Sequence, residues 1–318
     1  MSKTHSKMVQ YSLWHNCNNR CKFCLIDNKT FITKELQLKS IAAIKDNLNY
    51  VDWINEFNRG VSLLGGEIYF STDPDIQNAL FDLISDIIEK VLKPNHKNGN
   101  YYCKYSTVTN GMYNPEFLFK CIDKVVSEVG LMGLDLNFSY DIKYRYATKE
   151  QELLVLDNIK RFQERYPEYI LGVQSICTQY LIDEILHNNF LEKWYKENPH
   201  TSFELLYPHP SHTGIKLEDF FPKRESMFEL ISYLSTHGFG DVLEHFHSSV
   251  QNSARFKHTG LYHREDQLSN NEIDTHQKPE LSQDKTKYNK NCWHSTLYQC
   301  YSDSDKCLLC DLNSILGE

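Results

Sequence analysis

The most informative stretch of this chain is Cys17-Asn-Asn-Arg-Cys21-Lys-Phe23-Cys24, which directly follows a strand-like segment at residues 9–14. A loop of this kind brings three thiolates within reach of one metal centre. A structural zinc site uses four ligands, whereas an iron–sulfur cube held by three cysteines leaves one iron open to another molecule. The spacing therefore favours an iron–sulfur cluster. A zinc loop completed by His15 or by a distant residue is the alternative.

Strand-like and helix-like segments alternate after this loop. The patterns predict strands over residues 9–14, 59–64, 104–109, 131–139, 170–177 and 202–206, and helices over residues 35–48, 76–92, 115–129, 150–166, 181–198 and 227–237. Such alternation is typical of parallel strands joined by right-handed crossovers. Six units are fewer than the eight of a closed barrel. The predicted fold is therefore α/β, an open partial (β/α)6 barrel.

The composition divides the chain into three regions. We expect the barrel to occupy residues 1–240 and a polar linker to occupy residues 241–291, which lack a sustained period from about Ser248 onward. Residues 292–318 form a cysteine-rich extension with Cys292, Cys300, Cys307 and Cys310. Four thiols in one short block predict a second metal centre, which is either a four-cysteine zinc site or an iron–sulfur cluster.

The bulk properties indicate a cytoplasmic enzyme. The 318 residues are 41% hydrophobic and 24% charged, and neither a signal-like start nor a membrane-length apolar run stands out. Ten cysteines in such a protein are expected to remain reduced, and seven of them fall in the two clusters at the chain ends. The net charge of −8 disfavours a large nucleic acid as partner, because a polynucleotide is usually held by a basic surface.

Polar motifs follow three of the predicted strands. Gly65-Gly66-Glu67 ends the second strand, Thr109-Asn110-Gly111 ends the third, and Asn137-Phe-Ser139-Tyr-Asp141 ends the fourth. Glycines allow close backbone approach, and a carboxylate can neutralise an ammonium group. Because the carboxyl ends of parallel strands meet at one edge, we expect these motifs to lie beside the cysteine loop.

Together with the cysteine triplet, these motifs resemble the radical S-adenosylmethionine enzymes over about residues 8–210. The resemblance implies a 4Fe-4S cluster on Cys17, Cys21 and Cys24 whose open iron binds the amino and carboxylate groups of S-adenosylmethionine. In that family, an electron from the cluster cleaves the sulfonium and yields a 5′-deoxyadenosyl radical that removes hydrogen from the substrate. An electron donor such as flavodoxin or ferredoxin is therefore an implied partner.

The resemblance also implies roles for individual residues at the strand ends. It assigns S-adenosylmethionine binding to Phe23, Gly65, Gly66, Glu67, Thr109, Asn110, Ser139 and Asp141, and Phe23 is expected to pack near the adenine. The match departs from the family at Ile142, where a glycine is expected, and at Arg145, which comes early for the family's arginine. The residues at strand four are therefore open to a second interpretation, as turn groups that cap the next helix.

The terminal block looks like the latter part of the SPASM or twitch extension that several radical S-adenosylmethionine subfamilies carry. This likeness favours an auxiliary iron–sulfur cluster on Cys292, Cys300, Cys307 and Cys310, with zinc as the alternative. Elsewhere, Cys177 is either a thiol at the barrel mouth or a small buried hydrophobe. Tyr207 and His209 are either substrate contacts or ordinary loop residues.

Two classes of function compete on this evidence. The first is a radical enzyme that acts on a peptide or a small molecule, with a nucleotide or RNA as the second choice of substrate. The second is a non-enzymatic regulatory protein stabilised by zinc. No catalytic residue that acts on the substrate can be named from the sequence.

Overall fold

The computed structural model describes residues 8–24, 31–208, 219–254, 261–263 and 274–275. Its strands are β1 Met8–Ser12, β2 Gly60–Leu64, β3 Lys104–Thr109, β4 Leu134–Ser139, β5 Leu171–Ile176, β6 Thr201–Leu206, β7 Leu261–His263 and β8 Asp274–Thr275. Its α-helices are α1 Lys34–Asn47, α2 Pro74–Ile87, α3 Lys93–Lys97, α4 Glu116–Val129, α5 Lys149–Arg165, α6 Gln179–Asn188, α7 Phe190–Glu197, α8 Arg224–Thr236 and α9 Gly240–Ala254.

The strands form one sheet in the order β6-β5-β4-β3-β2-β1-β7-β8. Neighbours from β6 to β1 are parallel, and each is joined to the next in sequence through at least one helix. The architecture is thus an α/β fold with six parallel strands, which is consistent with the predicted partial barrel. β7 extends the sheet beyond β1 in parallel, and β8 pairs with β7 in the antiparallel sense.

Local chemistry explains where several helices begin and break. Thr33 caps α1 by accepting from the Leu36 N–H, and Asp73 caps α2 ahead of Pro74. The helix predicted over residues 76–92 passes through a π-helical turn at Ile88–Leu92 just before Pro94, which lacks the N–H that a regular helix needs. The helix predicted over residues 181–198 is two helices, because Asn189 adopts a left-handed conformation with φ of 53°.

The predicted linker over residues 241–291 needs correction at its beginning. Most of α9 and the short strands β7 and β8 lie in this segment. Val242, Phe246 and Val250 recur at helical spacing and are buried, and the Tyr207 N–H donates to Ser249 Oγ at 3.0 Å. α9 therefore lies along the free edge of β6, which explains why a mostly polar sequence is helical here. The remaining residues of the segment lie outside the described ranges.

Residues of β1 to β6 alternate between two surfaces of the sheet. The helix-facing surface holds the apolar core, as shown by Tyr11 bonding to Asn47 of α1 and by Phe138 meeting Phe162 of α5. The opposite surface, called the inner surface below, is mostly polar, and its residues range from buried to partly accessible. Its side chains include Gln10, Ser12, Ser62, Lys104, Ser106, Asp135, Asn137, Ser139, Gln174, Ser202 and Glu204.

The loops that follow the parallel strands gather at the carboxyl edge of the sheet. These loops carry the cysteine triplet after β1 and the polar motifs after β2, β3 and β4. Within the described ranges, no helix combines the length and the apolar character that crossing a lipid bilayer requires.

Candidate metal centre

The cysteine loop begins where β1 ends and lies against the segment that follows β2. Backbone bonds from Leu13 N to Leu64 O and from Gly66 N to Trp14 O connect the two segments at 2.9 and 2.8 Å. Cys17 and Cys21 are half-buried, whereas Cys24 is exposed. The loop is therefore attached to the sheet at its base and presents thiols towards the open side of the strand ends.

Nitrogen donors surround two of the three sulfur atoms. Asn19 donates to both: its backbone N–H reaches Cys17 Sγ at 3.4 Å, and its amide reaches Cys21 Sγ at 3.1 Å. The Asn110 amide lies 3.5 Å from Cys17 Sγ, and Arg145 Nη1 lies 3.7 Å from Cys21 Sγ. Donors of this kind stabilise thiolate ligands and influence the potential of an iron–sulfur cluster.

The electrostatics of the protein groups around this loop favour neutral thiols. Burial raises the pKa of Cys17 above its ordinary value and that of Cys21 to about 11. Arg145 opposes this rise at Cys21, while the nearby Cys24 and Cys17 add to it. Metal ligation requires thiolates, so a bound cationic centre would have to supply the compensating charge.

The chemistry of the donor set shows which kinds of centre fit. The described residues contain no cluster of three or more His, Cys, Asp or Glu side chains arranged to hold a single metal ion. The loop offers three free thiols, with N–H donors beside two of the sulfur atoms. This donor set fits an iron–sulfur cluster, and a zinc loop with a fourth ligand stays the alternative.

Gly65 and Gly66 are required by the close approach of the cysteine loop. A Cβ atom at Gly66 would stand 2.4 Å from the Asn16 carbonyl oxygen and 2.5 Å from the His15 carbonyl oxygen, and one at Gly65 would stand 2.6 Å from the Trp14 oxygen. The backbone that approaches Gly66 closely is therefore the protein's own, in the segment just before Cys17.

Glu67 is buried beneath the strand ends and connects two of them. Its carboxylate accepts from the Asn110 N–H at 2.6 Å, from the Thr109 hydroxyl at 3.0 Å and from the Tyr69 N–H at 3.3 Å. Burial raises the pKa of Glu67 to about 7, against the opposing effect of these donors. The side chain therefore holds the loop after β3 in place.

Asn110 carries this arrangement on to the cysteine loop. Its amide donates to Asn18 Oδ1 at 2.8 Å as well as towards Cys17, and Asn18 in turn donates to the Met112 carbonyl at 2.7 Å. Thr109 and Asn110 are both buried. A continuous set of hydrogen bonds thus runs from Glu67 through Asn110 to Cys17.

A buried ion pair follows β4 on the other side of the loop. Arg145 Nε and Nη2 both donate to Asp141 Oδ2 at 2.7 Å, and the remaining Asp141 oxygen accepts from the Ser175 hydroxyl and the Ile176 N–H. The early arginine noted in the sequence is therefore held in a buried ion pair with Asp141. It connects the end of β4 to Cys21.

Phe23 lies inside a small aromatic cluster with Tyr144 and Phe220. Its ring stacks on Phe220 with centroids 6.0 Å apart, and the Arg145 guanidinium lies 5.1 Å from its centre. The backbone bond from Lys22 N to Tyr144 O, at 3.0 Å, attaches the same segment to the loop after β4. Phe23 therefore anchors the cysteine loop, and contact with an adenine stays a prediction.

Some predicted residues are not brought to this site by the structure. Cys177 is fully buried, and burial raises the pKa of its thiol, so it is a core residue. Tyr207 is also buried. His209 and the four terminal cysteines, Cys292, Cys300, Cys307 and Cys310, lie outside the described residues.

Sequence reasoning missed Asn19, and it named Arg145 without predicting its contact with Cys21. Asn19 lies between the cysteines, and its position inside the triplet was the available signal. The pairing of Asp141 with Arg145 at a spacing of four residues was a further signal, since this spacing suits a local ion pair. The approach of Arg145 to Cys21 carried no signal, because the two residues are far apart in sequence.

Comparisons with known proteins identify no family. No protein-family model matches the chain, and no curated protein matches it. Its fold is similar to crystal structures of Streptococcus suis SuiB, with a TM-score of 0.49 and 15% identity over 74% of this chain and 47% of that chain. For SuiB bound to the precursor peptide SuiA, the TM-score is 0.48 and the identity is 13%, over 74% of this chain and 47% of that chain. For SuiB bound to S-adenosylmethionine, the TM-score is 0.48 and the identity is 15%, over 81% of this chain and 58% of that chain.

The chain thus spans about half the length of these solved structures. Likeness at this level carries no conclusion about the function of the chain.

Proposed function

We propose that this protein is a radical S-adenosylmethionine enzyme that acts on a peptide or a small molecule. The observation that carries the proposal is the cysteine triplet itself, placed after β1 at the carboxyl edge of a parallel sheet, with N–H donors on Cys17 and Cys21. Cys17, Cys21 and Cys24 would hold a 4Fe-4S cluster. When bound, that cluster supplies the electron that cleaves S-adenosylmethionine to a 5′-deoxyadenosyl radical.

The exposure of the predicted ligand-binding residues divides them into two groups. Gly65, Gly66 and Ser139 are half-buried at the strand ends, so their backbone or hydroxyl groups are accessible for direct contact with S-adenosylmethionine. The others are buried among protein partners and are proposed to position the loops; they are Phe23, Glu67, Thr109, Asn110 and Asp141. The proposal therefore assigns two carboxylates to positioning instead of to the methionine ammonium.

The wider assignments complete the proposal without support from the described residues. The terminal cysteines Cys292, Cys300, Cys307 and Cys310 would hold an auxiliary iron–sulfur cluster in a SPASM- or twitch-like extension, with zinc as the alternative. A flavodoxin or ferredoxin would supply electrons, in a cytoplasmic setting. The net charge of −8 makes RNA the second choice of substrate.

The proposal is tested with protein purified and reconstituted without oxygen. We expect iron and acid-labile sulfide in the chain, and 5′-deoxyadenosine and methionine after reduction with S-adenosylmethionine. Cys21→Ala should abolish this cleavage, because two thiolates do not hold the cluster in position. The matched control is Cys103→Ala, since Cys103 is a buried cysteine at the opposite end of β3.

Two results would contradict the proposal. Zinc without iron in the purified chain would favour the regulatory protein, and undiminished 5′-deoxyadenosine from Cys21→Ala would remove the cluster from this loop. For the terminal block, the double variant Cys307→Ala with Cys310→Ala should lower the iron content while cleavage of S-adenosylmethionine persists. Equal iron content in both proteins would favour zinc at that block.

A further inference from the structure

The inner surface of the sheet borders a cavity that the proposed chemistry does not use. The cavity has a volume of about 860 Å³ and lies at the amino ends of β3 to β6, where strand residues, the segments that lead into β4, β5 and β6, and the first turns of α9 line it. Closed barrels fill the corresponding space with packed aliphatic side chains. Here Asp135, Asn137 and Glu204 stand among apolar residues such as Ile170 and Val242. The cavity therefore suits a ligand with a polar group, and its volume is within the range of ligand pockets.

Asn137 of β4 presents its side-chain amide to this cavity. The residue is 8% exposed, and no hydrogen bond joins its amide to another described residue. Gly172 of β5 makes room for it: a Cβ atom there would stand 1.8 Å from Asn137 Oδ1. Amides at this depth normally have a hydrogen-bond partner, and a ligand in the cavity can supply one.

Two carboxylates flank this amide, and each has one oxygen oriented by a neighbour. Glu204 Oε2 accepts from Gln174 at 2.9 Å, and Asp135 Oδ2 accepts from Ser106 at 2.9 Å. The second Glu204 oxygen, Oε1, also lies near Gly172. A Cβ atom built at Gly172 would stand 3.1 Å from it. Acceptor oxygens of Asn137 and Glu204 therefore face the same small region.

The charges around the cavity determine which ligand fits. Asp241 and Glu244 at the start of α9 add two further carboxylates, and Lys104 is the one lysine or arginine among the cavity's described lining residues. His200 and His245 also border the cavity and are neutral in the formal count at pH 7. The excess of carboxylates attracts a cation, and donors on that cation would satisfy the free oxygens.

We propose that this cavity binds the ammonium or guanidinium group of the substrate, with Asn137, Glu204 and Asp135 as the recognising residues. Because it concerns the substrate of the radical enzyme, this inference rests on the proposed function. The inner surface runs directly up to Ser139, two residues beyond Asn137 on β4. The cavity lies at the amino end of β4, so a substrate anchored here reaches the cysteine loop by extending along the inner surface past Ser139 to the carboxyl edge.

The test measures binding of cations to the full-length protein by isothermal titration calorimetry at low ionic strength. The probes are Nα-acetyl-lysine methylamide, Nα-acetyl-arginine methylamide and putrescine, and the neutral control is Nα-acetyl-norleucine methylamide. We expect at least one cationic probe to bind about tenfold or more tightly than the neutral one, as loss of charge-assisted hydrogen bonds implies. A preference for the amino-acid amides over putrescine would identify a peptide side chain, and the reverse preference a free amine.

One variant that removes a negative charge and one that removes a positive charge distinguish a loss of cation recognition from damage to the fold. Glu204→Gln should weaken cation binding about tenfold, whereas Lys104→Gln should strengthen it, because it removes the opposing cation. Glu164→Gln, on the exposed face of α5, is the matched control and should change nothing. The thermal unfolding midpoint of each variant is recorded, and a variant that unfolds at the working temperature is replaced by Asp135→Asn.

Equal binding of the neutral and all cationic probes would overturn the proposal, as would equal effects of Glu204→Gln and Glu164→Gln. The measurement uses neither reductant nor S-adenosylmethionine. A chain that lacks iron but binds cations through Glu204 would therefore refute the proposed function and leave the cation site intact. A chain that cleaves S-adenosylmethionine but does not discriminate among the probes would support the proposed function and refute the cation site.

Discussion

The two surfaces of the same six strands differ sharply in composition. On the helix-facing surface, Val61, Leu136 and Phe138 are completely or almost completely buried in one apolar core. On the inner surface, most of the intervening residues are polar and several are partly accessible, as Asp135 is beside Leu136. Because successive side chains of a strand point to opposite faces, the chain carries stability on one surface and recognition on the other with the same backbone.

The largest expected effect lies where the two surfaces end, at the contact between β2 and the cysteine loop. Gly66→Val should abolish iron binding and S-adenosylmethionine cleavage together, because its side chain would clash with the backbone of His15 and Asn16. Iron content and 5′-deoxyadenosine production are measured on the same preparation. Gly240→Ala is the control, since a Cβ atom at Gly240 meets nothing within 4 Å. Normal iron content in Gly66→Val would show that the loop tolerates displacement.

The adjacent residues Asn137 and Phe138 offer a direct comparison of the two surfaces. Phe138→Ala should lower the free energy of unfolding by about 3–5 kcal/mol, because the ring is fully buried beside Phe162. Asn137→Ala should change it by less than about 1 kcal/mol, since its amide has no partner to lose. Urea unfolding of both variants checks the difference. Similar losses would mean that the inner surface also belongs to the stabilising core.

Glu67 should make the stability of the protein depend on pH. Burial raises its pKa in the folded state to about 7 from an ordinary value of 4.5. The folded state therefore binds the proton more tightly than the unfolded state. The resulting contribution of Glu67 to the free energy of unfolding is fully present below pH 4.5 and is lost as the pH rises through 7. The loss amounts to about 3 kcal/mol.

Glu67→Gln should flatten this dependence, which urea unfolding between pH 5 and 8 would reveal. Glu164→Gln, an exposed carboxylate on α5, should retain the slope of the unmodified protein. Parallel curves for the unmodified protein and Glu67→Gln would contradict the assignment of the slope to this buried carboxylate.

The smallest expected effect concerns the ion pair beside Cys21. The Arg145 guanidinium stabilises negative charge on that sulfur, so Arg145→Met should lower the reduction potential of the reconstituted cluster by about 60 mV, which is a tenfold change for one electron. Asp141→Asn should raise it, because the arginine charge is then uncompensated. Redox titration followed by electron paramagnetic resonance measures both. Shifts of the same sign would indicate general disturbance of the loop.

The sequence predicted most of the regular structure because hydrophobic periodicity is a local property. All six predicted parallel strands occur, with β3 at the predicted residues, and the six predicted helical regions are helical. The errors have particular causes. Pro94 and Asn189 interrupt helices through local backbone chemistry, and α9 is helical because three apolar residues cover the edge of β6.

The sequence by itself determined that three thiols lie on one loop directly after the first parallel strand, since their spacing is local. It also determined the alternation of polar and apolar residues along the strands. Only the tertiary structure decided what these groups contact. Strand pairing and loop packing bury Glu67 against Asn110, bring Arg145 to Cys21, and place Asn137 beside Glu204 around an open cavity. These contacts join residues from different βα units, and their geometry follows from strand register and side-chain packing, which no short stretch of sequence contains.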